Sequence, residues 1–90
     1  MTASRRVEIV NERGLHARAS AKFVKLASEF DAEVRVSREG STVDARSIMG
    51  LMMLAAGVGS EVEIEAEGPQ ADQAVEALTN LIANRFDEER

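Results

Sequence analysis

A chain of 90 residues, 44% hydrophobic and 30% charged, is long enough to fold around one core and too apolar to stay disordered. It has no cysteine, which excludes disulfides, thiolate metal sites and thiol catalysis and fits a cytosolic protein. Its net charge is −5, with three Phe and no Tyr or Trp, so it has neither the basic field nor the stacking groups that nucleic acid demands.

The opening stretch MTASRRVEIV lacks the apolar run of a secretory signal. Within it RVEIV alternates, Val7 and Ile9 on one side and Arg6 and Glu8 on the other, which predicts a first strand. From Ala17 to Phe30 the apolar set Ala19, Phe23, Leu26, Ala27 and Phe30 keeps helical spacing. EVRVS, residues 33–37, alternates again. Glu39-Gly40-Ser41 signals a turn, and TVDA at 42–45 is a short returning strand.

Ser47 before IMGLMMLAA and Gly57 after it bound a short second helix. The mostly apolar run 48–58 falls well short of the ~20 residues a membrane span needs, so the chain reads as soluble. EVEIEAE, residues 61–67, is the clearest strand, with Val62, Ile64 and Ala66 facing one way and four glutamates the other. Gly68-Pro69 opens the last helix, proline suiting its first position, and Ala71, Ala74, Val75, Leu78, Leu81 and Ile82 form its apolar stripe. The order is β-α-β-β-α-β-α, without repeats or linkers. Strands that alternate have one covered face and favour antiparallel pairing, so residues 1–90 are read as one two-layer α+β domain, a four-stranded sheet with three helices on one face.

The segment NERGLHARASAKF, residues 11–23, holds the only histidine. Gly14 permits a tight or left-handed approach to the helix, and His16 falls at its N-cap. Arg18 follows in the first turn, where a cation is unfavourable unless an anion binds there too. The unpaired amides of that turn, those of Ala17 and Arg18 among them, and the positive end of the helix dipole together suit a phosphate. The dipole also favours the neutral imidazole, which is the nucleophilic form. One placement therefore supplies a nucleophile, a cradle for a phosphoryl group and a neutralising guanidinium. No second titratable base is expected to adjoin His16, and Ser20 stands a helical turn away without a partner. A residue meant to hold a phosphoryl group is expected to lack such a base, because activated water would discharge it.

GLHARAS, followed by RSIMGLMMLAAGVGSEVEIEAEGPQADQAVEAL, resembles the HPr phosphocarrier proteins of the bacterial phosphoenolpyruvate-dependent phosphotransferase system, over nearly the whole chain. The resemblance implies an open-faced β-sandwich with sheet order 1-4-2-3. It also implies that His16, with Arg18 beside it, takes a phosphoryl group on Nδ1 from Enzyme I and passes it to an EIIA-type acceptor. Turnover would belong to the partner enzymes, and the carrier itself would be a cytoplasmic monomer without cofactor or metal. The family usually has proline after the arginine where this chain has Ala19. Alanine keeps an N–H and relaxes the first turn, so the cradle is expected to persist with less rigidity.

The second helix is too apolar for one buried side. Leu51, Leu54 and Ala55 share a core-facing side, whereas Ile48, Met49 and Met52 point elsewhere and Met53 lies at the edge. Methionines adapt to several surfaces, so Ile48, Met49 and Met52 are expected to dock partners, rimmed by Arg13, Lys22, Lys25 and Arg46. Residues 1–60 hold nine Lys and Arg against seven Asp and Glu, a net of +2 that suits acidic partners. Ser47 caps this helix, and it matches the serine that HPr kinase/phosphorylase modifies in many relatives. A phosphate there would place about −2 charge within the docking patch.

Other signals are set aside. GVGSEV runs from helix into strand, the reverse of a phosphate loop. Glu61, Glu63, Glu65 and Glu67 line a solvated face, offset by Arg6 or Arg35, and the tail DEER is expected to fray. Two rivals remain. One is a regulatory HPr-like module that only binds, controlled at Ser47; the other is a small regulatory domain with a ligand on the glutamate face. Neither sugar uptake nor a nitrogen-related regulatory branch is singled out by the residues.

Overall fold

A computed structural model describes residues 1–88. Four strands, β1 (Thr2–Glu8), β2 (Glu33–Arg38), β3 (Ser41–Asp44) and β4 (Glu61–Glu67), form one antiparallel sheet in the order β1-β4-β2-β3. Three helices, α1 (Ala17–Ala27), α2 (Ile48–Met53) and α3 (Ala71–Ala83), complete the expected order, and the two-layer open-faced sandwich stands as anticipated.

Cross-strand register explains which face is covered. Val62, Ile64 and Ala66 of β4 stand opposite Val7, Arg5 and Ala3 of β1, and Ile64 and Ala66 also stand opposite Val36 and Val34 of β2. This face meets Phe23 and Ala27 of α1, Leu51 of α2, and Ala74, Val75, Leu78 and Ile82 of α3 in one buried core. On the other face Glu63 and Glu65 oppose Arg6 and Ser4 on one side and Ser37 and Arg35 on the other. Arg35 Nη2 donates to Glu67 Oε1 at 2.9 Å, and Arg6 lies 3.7 Å from Glu61, so opposite charges interleave along the solvated sheet.

Several boundaries differ from expectation. β1 begins at Thr2, because residues 2–5, with Ala3 the only apolar one among them, gain strand partners in β4 that hydrophobic alternation does not register. α1 ends at Ala27, where Ser28 caps it and its Oγ donates back to the Val24 carbonyl. α2 ends at Met53: Ala55, not Gly57, takes the left-handed conformation that closes it, with φ 53°. Pro69 precedes α3 instead of opening it. Its neighbour Gln70 is tied to Asp31 by two hydrogen bonds, the Gln70 amide to the Asp31 carbonyl and the Asp31 amide to Gln70 Oε1, so the helix starts at Ala71.

Beyond α3 the chain makes one further turn, Arg85–Asp87, in left-handed backbone that periodicity does not foretell. Phe86 is fully buried there, at the end of the core that lies against α1 and α3. The tail expected to fray is therefore ordered through Glu88, and residues 89 and 90 lie outside the described residues.

Candidate functional site

Two loops lock together to present His16. Ile9 exchanges backbone hydrogen bonds with Gly59 and Ser60, and the Leu15 amide donates to the Ala56 carbonyl at 3.0 Å. Gly14 makes this approach possible. Its φ is 66°, and a Cβ there would lie 2.4 Å from the Ala56 carbonyl oxygen. The Asn11 side chain, fully buried, closes the same loop by donating from Nδ2 to the Gly14 carbonyl at 2.8 Å.

His16 then caps α1 with an extended backbone, φ −75° and ψ 179°. The helical ladder starts with the Ser20 amide donating to the His16 carbonyl at 2.9 Å, so the amides of Ala17, Arg18 and Ala19 precede it at the positive end of the helix. No acidic residue occupies that first turn. Arg18 is exposed and makes no side-chain hydrogen bond or ion pair among the described residues. Ser20 is not unpartnered as expected: it is buried, and its Oγ donates to the Leu15 carbonyl at 3.2 Å.

The expectation that no titratable group adjoins the imidazole is overturned. His16 Nε2 donates to Glu88 Oε2, and the other carboxylate oxygen, Oε1, accepts from Asn11 Nδ2 at 3.2 Å. The side chains of His16 and Glu88 are only 23% and 16% exposed, so the ring is largely covered instead of standing open to water. Burial pushes the Glu88 carboxyl up, but hydrogen bonds from His16 and Asn11, with the charges of His16 and Arg13, hold it below its ordinary value. Nδ1 makes no hydrogen bond among the described residues.

On the neighbouring helix, Ser47 Oγ accepts from the Gly50 amide at 2.9 Å as an N-cap should. Leu51 and Leu54 face the core, but Ala55 is exposed, because the left-handed turn at that residue carries it off the helical face. Ile48, Met49 and Met52 are 40%, 70% and 40% exposed, and Met53, at 78%, is more exposed than an edge position implies. Among the basic residues assigned to the rim, Arg13, Lys25 and Arg46 are exposed, Arg46 lying 3.6 Å from Asp44. Lys22 differs. Its Nζ donates to the Phe86 carbonyl at 2.7 Å and so serves the C-terminal turn.

This site lies within a recognisable sequence. The family model described as "PTS HPr component phosphorylation site" matches residues 3–84. The chain belongs to the HPr family of phosphocarrier proteins. A phosphocarrier protein HPr from Cupriavidus necator is 59% identical over 80 residues, covering 89% of this chain and 90% of that protein. Another from Pseudomonas aeruginosa is 53% identical, covering 91% and 92%. Among solved structures, HPr-C-His from Thermoanaerobacter tengcongensis superposes with a TM-score of 0.93 at 41% identity, over 98% of this chain and 99% of that one. As an HPr-family member the chain is a phosphocarrier of the phosphotransferase system, a carrier and not a catalyst of turnover. No helix among the described residues is long and apolar enough to cross a membrane.

Proposed function

We propose that His16 is the residue that carries the phosphoryl group, taking it on Nδ1 from Enzyme I and passing it to an EIIA-type acceptor, in sugar uptake or in the nitrogen-related regulatory branch. The observation that carries this reading is the placement of the imidazole at the extended N-cap of α1, ahead of amides that no ladder bond uses. A phosphoryl group on Nδ1 meets the Ala17 and Arg18 amides and the helix dipole, and the Arg18 guanidinium supplies compensating charge. Ring nitrogen and donor compete for one phosphorus atom, so the carrier needs no base to activate water and no cofactor.

Partner recognition falls to α2. Ile48, Met49 and Met52 are exposed apolar side chains on one short helix, and with Arg13, Lys25 and Arg46 as a basic rim they would suit a surface with an apolar centre and acidic rim. Ser47, at the edge of that patch, is the site where an HPr kinase/phosphorylase would act, and a phosphate there would inhibit transfer at His16 by charging the docking surface. The carrier works in the cytoplasm as a monomer.

Intact mass after incubation with phosphoenolpyruvate and Enzyme I tests the reading. One acid-labile phosphoryl group is expected on the wild type and none on His16→Ala. A phosphoryl gain that persists in His16→Ala contradicts it.

A further inference from the structure

The end of the chain reaches the His16 ring by an unusual path. After α3 it reverses through Arg85, Phe86 and Asp87, whose φ angles are 57°, 54° and 62°. Left-handed backbone is unfavourable for residues with a Cβ, and three in succession persist only where their surroundings over-determine them. Here the Phe86 ring is fully buried and its carbonyl takes the Lys22 ammonium. The Asp87 and Glu88 amides donate to the Asn84 and Arg85 carbonyls at 3.0 and 2.9 Å. The turn so fixed delivers the Glu88 carboxylate to Nε2 of His16, while buried Asn11 holds its second oxygen and the Gly14 carbonyl at once.

We infer that Glu88 is a positioning residue for phosphoryl transfer at His16: its carboxylate orients the ring through Nε2–H and faces the positive charge that the ring acquires. This rests on the carrier reading above. An ionised carboxylate can only accept, so its bond to Nε2 requires the proton on that nitrogen and leaves the lone pair on Nδ1. In the transfer, the Nδ1 lone pair forms the bond to phosphorus. The bond from phosphorus to the donor atom breaks, and its electron pair stays with the donor. The proton on Nε2 does not move. The ring therefore passes from neutral imidazole to phosphoimidazolium, and the new charge is shared with the nitrogen that Glu88 holds. A partly buried carboxylate on the far nitrogen of a reacting histidine can stabilise such an imidazolium without taking its proton, as a fully buried one does in hydrolytic triads. The same contact assists the return step no less, since both directions share one transition state.

The test uses the full chain with Glu88→Gln, which keeps the shape and an acceptor but removes the charge, and Glu88→Ala, which removes both. Phosphoryl acceptance from phosphorylated Enzyme I is followed by rapid quench across donor concentrations. Glu88→Gln is expected to lower the saturated rate about tenfold, with KM within about twofold. In the unphosphorylated wild type, proton NMR should show a downfield His16 Nε2–H resonance protected from solvent, absent in Glu88→Ala. Equal saturated rates for wild type and Glu88→Gln overturn the inference. So does a change confined to KM, which would assign the carboxylate to docking, or a faster variant, which would make it a brake. A wild type lacking the protected resonance overturns it whatever the variants do. A wild type that gains no phosphoryl group overturns the carrier reading together with this one, whereas a wild type charged as fast as both variants overturns only the role of Glu88.

Discussion

The Glu88 carboxyl is pulled in opposite directions, upward by burial and downward by His16, Asn11 and Arg13, and the downward pull prevails. A carboxyl whose folded value lies below its ordinary 4.5 favours the folded state when ionised, so its contribution is complete above about pH 4.5 and disappears as the pH falls through the depressed folded value. Urea unfolding should therefore find wild type more stable than Glu88→Gln at neutral pH, with the difference vanishing at strongly acid pH; a gap that widens on acidification contradicts the assignment. Residues of this kind were poorly legible in the sequence. His16 and Ser47 could be found because capping follows from immediate neighbours. The contacts of His16 and Asn11 with Glu88 span 72 and 77 positions, and that of Lys22 with Phe86 spans 64, distances over which no periodicity operates. One signal was available: a lone Phe86 within the otherwise polar stretch NRFDEER, where a large apolar ring has reason to stay only if buried.

Helix α2 shows how an element can be correctly located and wrongly measured. Its start was legible because serine at an N-cap has a definite bonding role, here with the Gly50 amide. Its end was not, because glycine is the usual left-handed residue and the chain uses Ala55. α3 repeats the lesson at its start, where Pro69 is displaced by the tie between Gln70 and Asp31, a contact 39 positions apart. For α2 the cap and the docking role separate by mutation. Ser47→Ala should cost about 1 kcal/mol in urea unfolding and leave phosphoryl transfer largely intact. Ser47→Asp keeps a good cap, so stability should hold within about 0.5 kcal/mol, yet its charge beside Ile48 and Met49 should slow transfer severalfold. An Asp variant that transfers at the wild-type rate removes Ser47 from any control of the site.

Across the whole molecule, order and layering were legible because alternation in three of the strands and the helical stripes declare which face each element buries. The sheet order followed from the family resemblance, and the register then sorted the glutamates of β4 to the solvated face. The arrangement leaves the α2 patch uncovered beside the loop that follows it, the loop to which Leu15 is bonded one residue before His16. Met49→Glu, at a position 70% exposed, should change stability by no more than about 0.5 kcal/mol but raise KM for phosphorylated Enzyme I about tenfold, with the saturated rate unaltered. An unchanged KM would move docking to another face. The most direct measurement is nitrogen-15 NMR of the phosphorylated chain, assigning the ring atom bound to phosphorus. Phosphorus is expected on Nδ1 of His16 with the proton retained on Nε2; phosphorus on Nε2, or on any other residue, contradicts the assignment of His16 as the carrier.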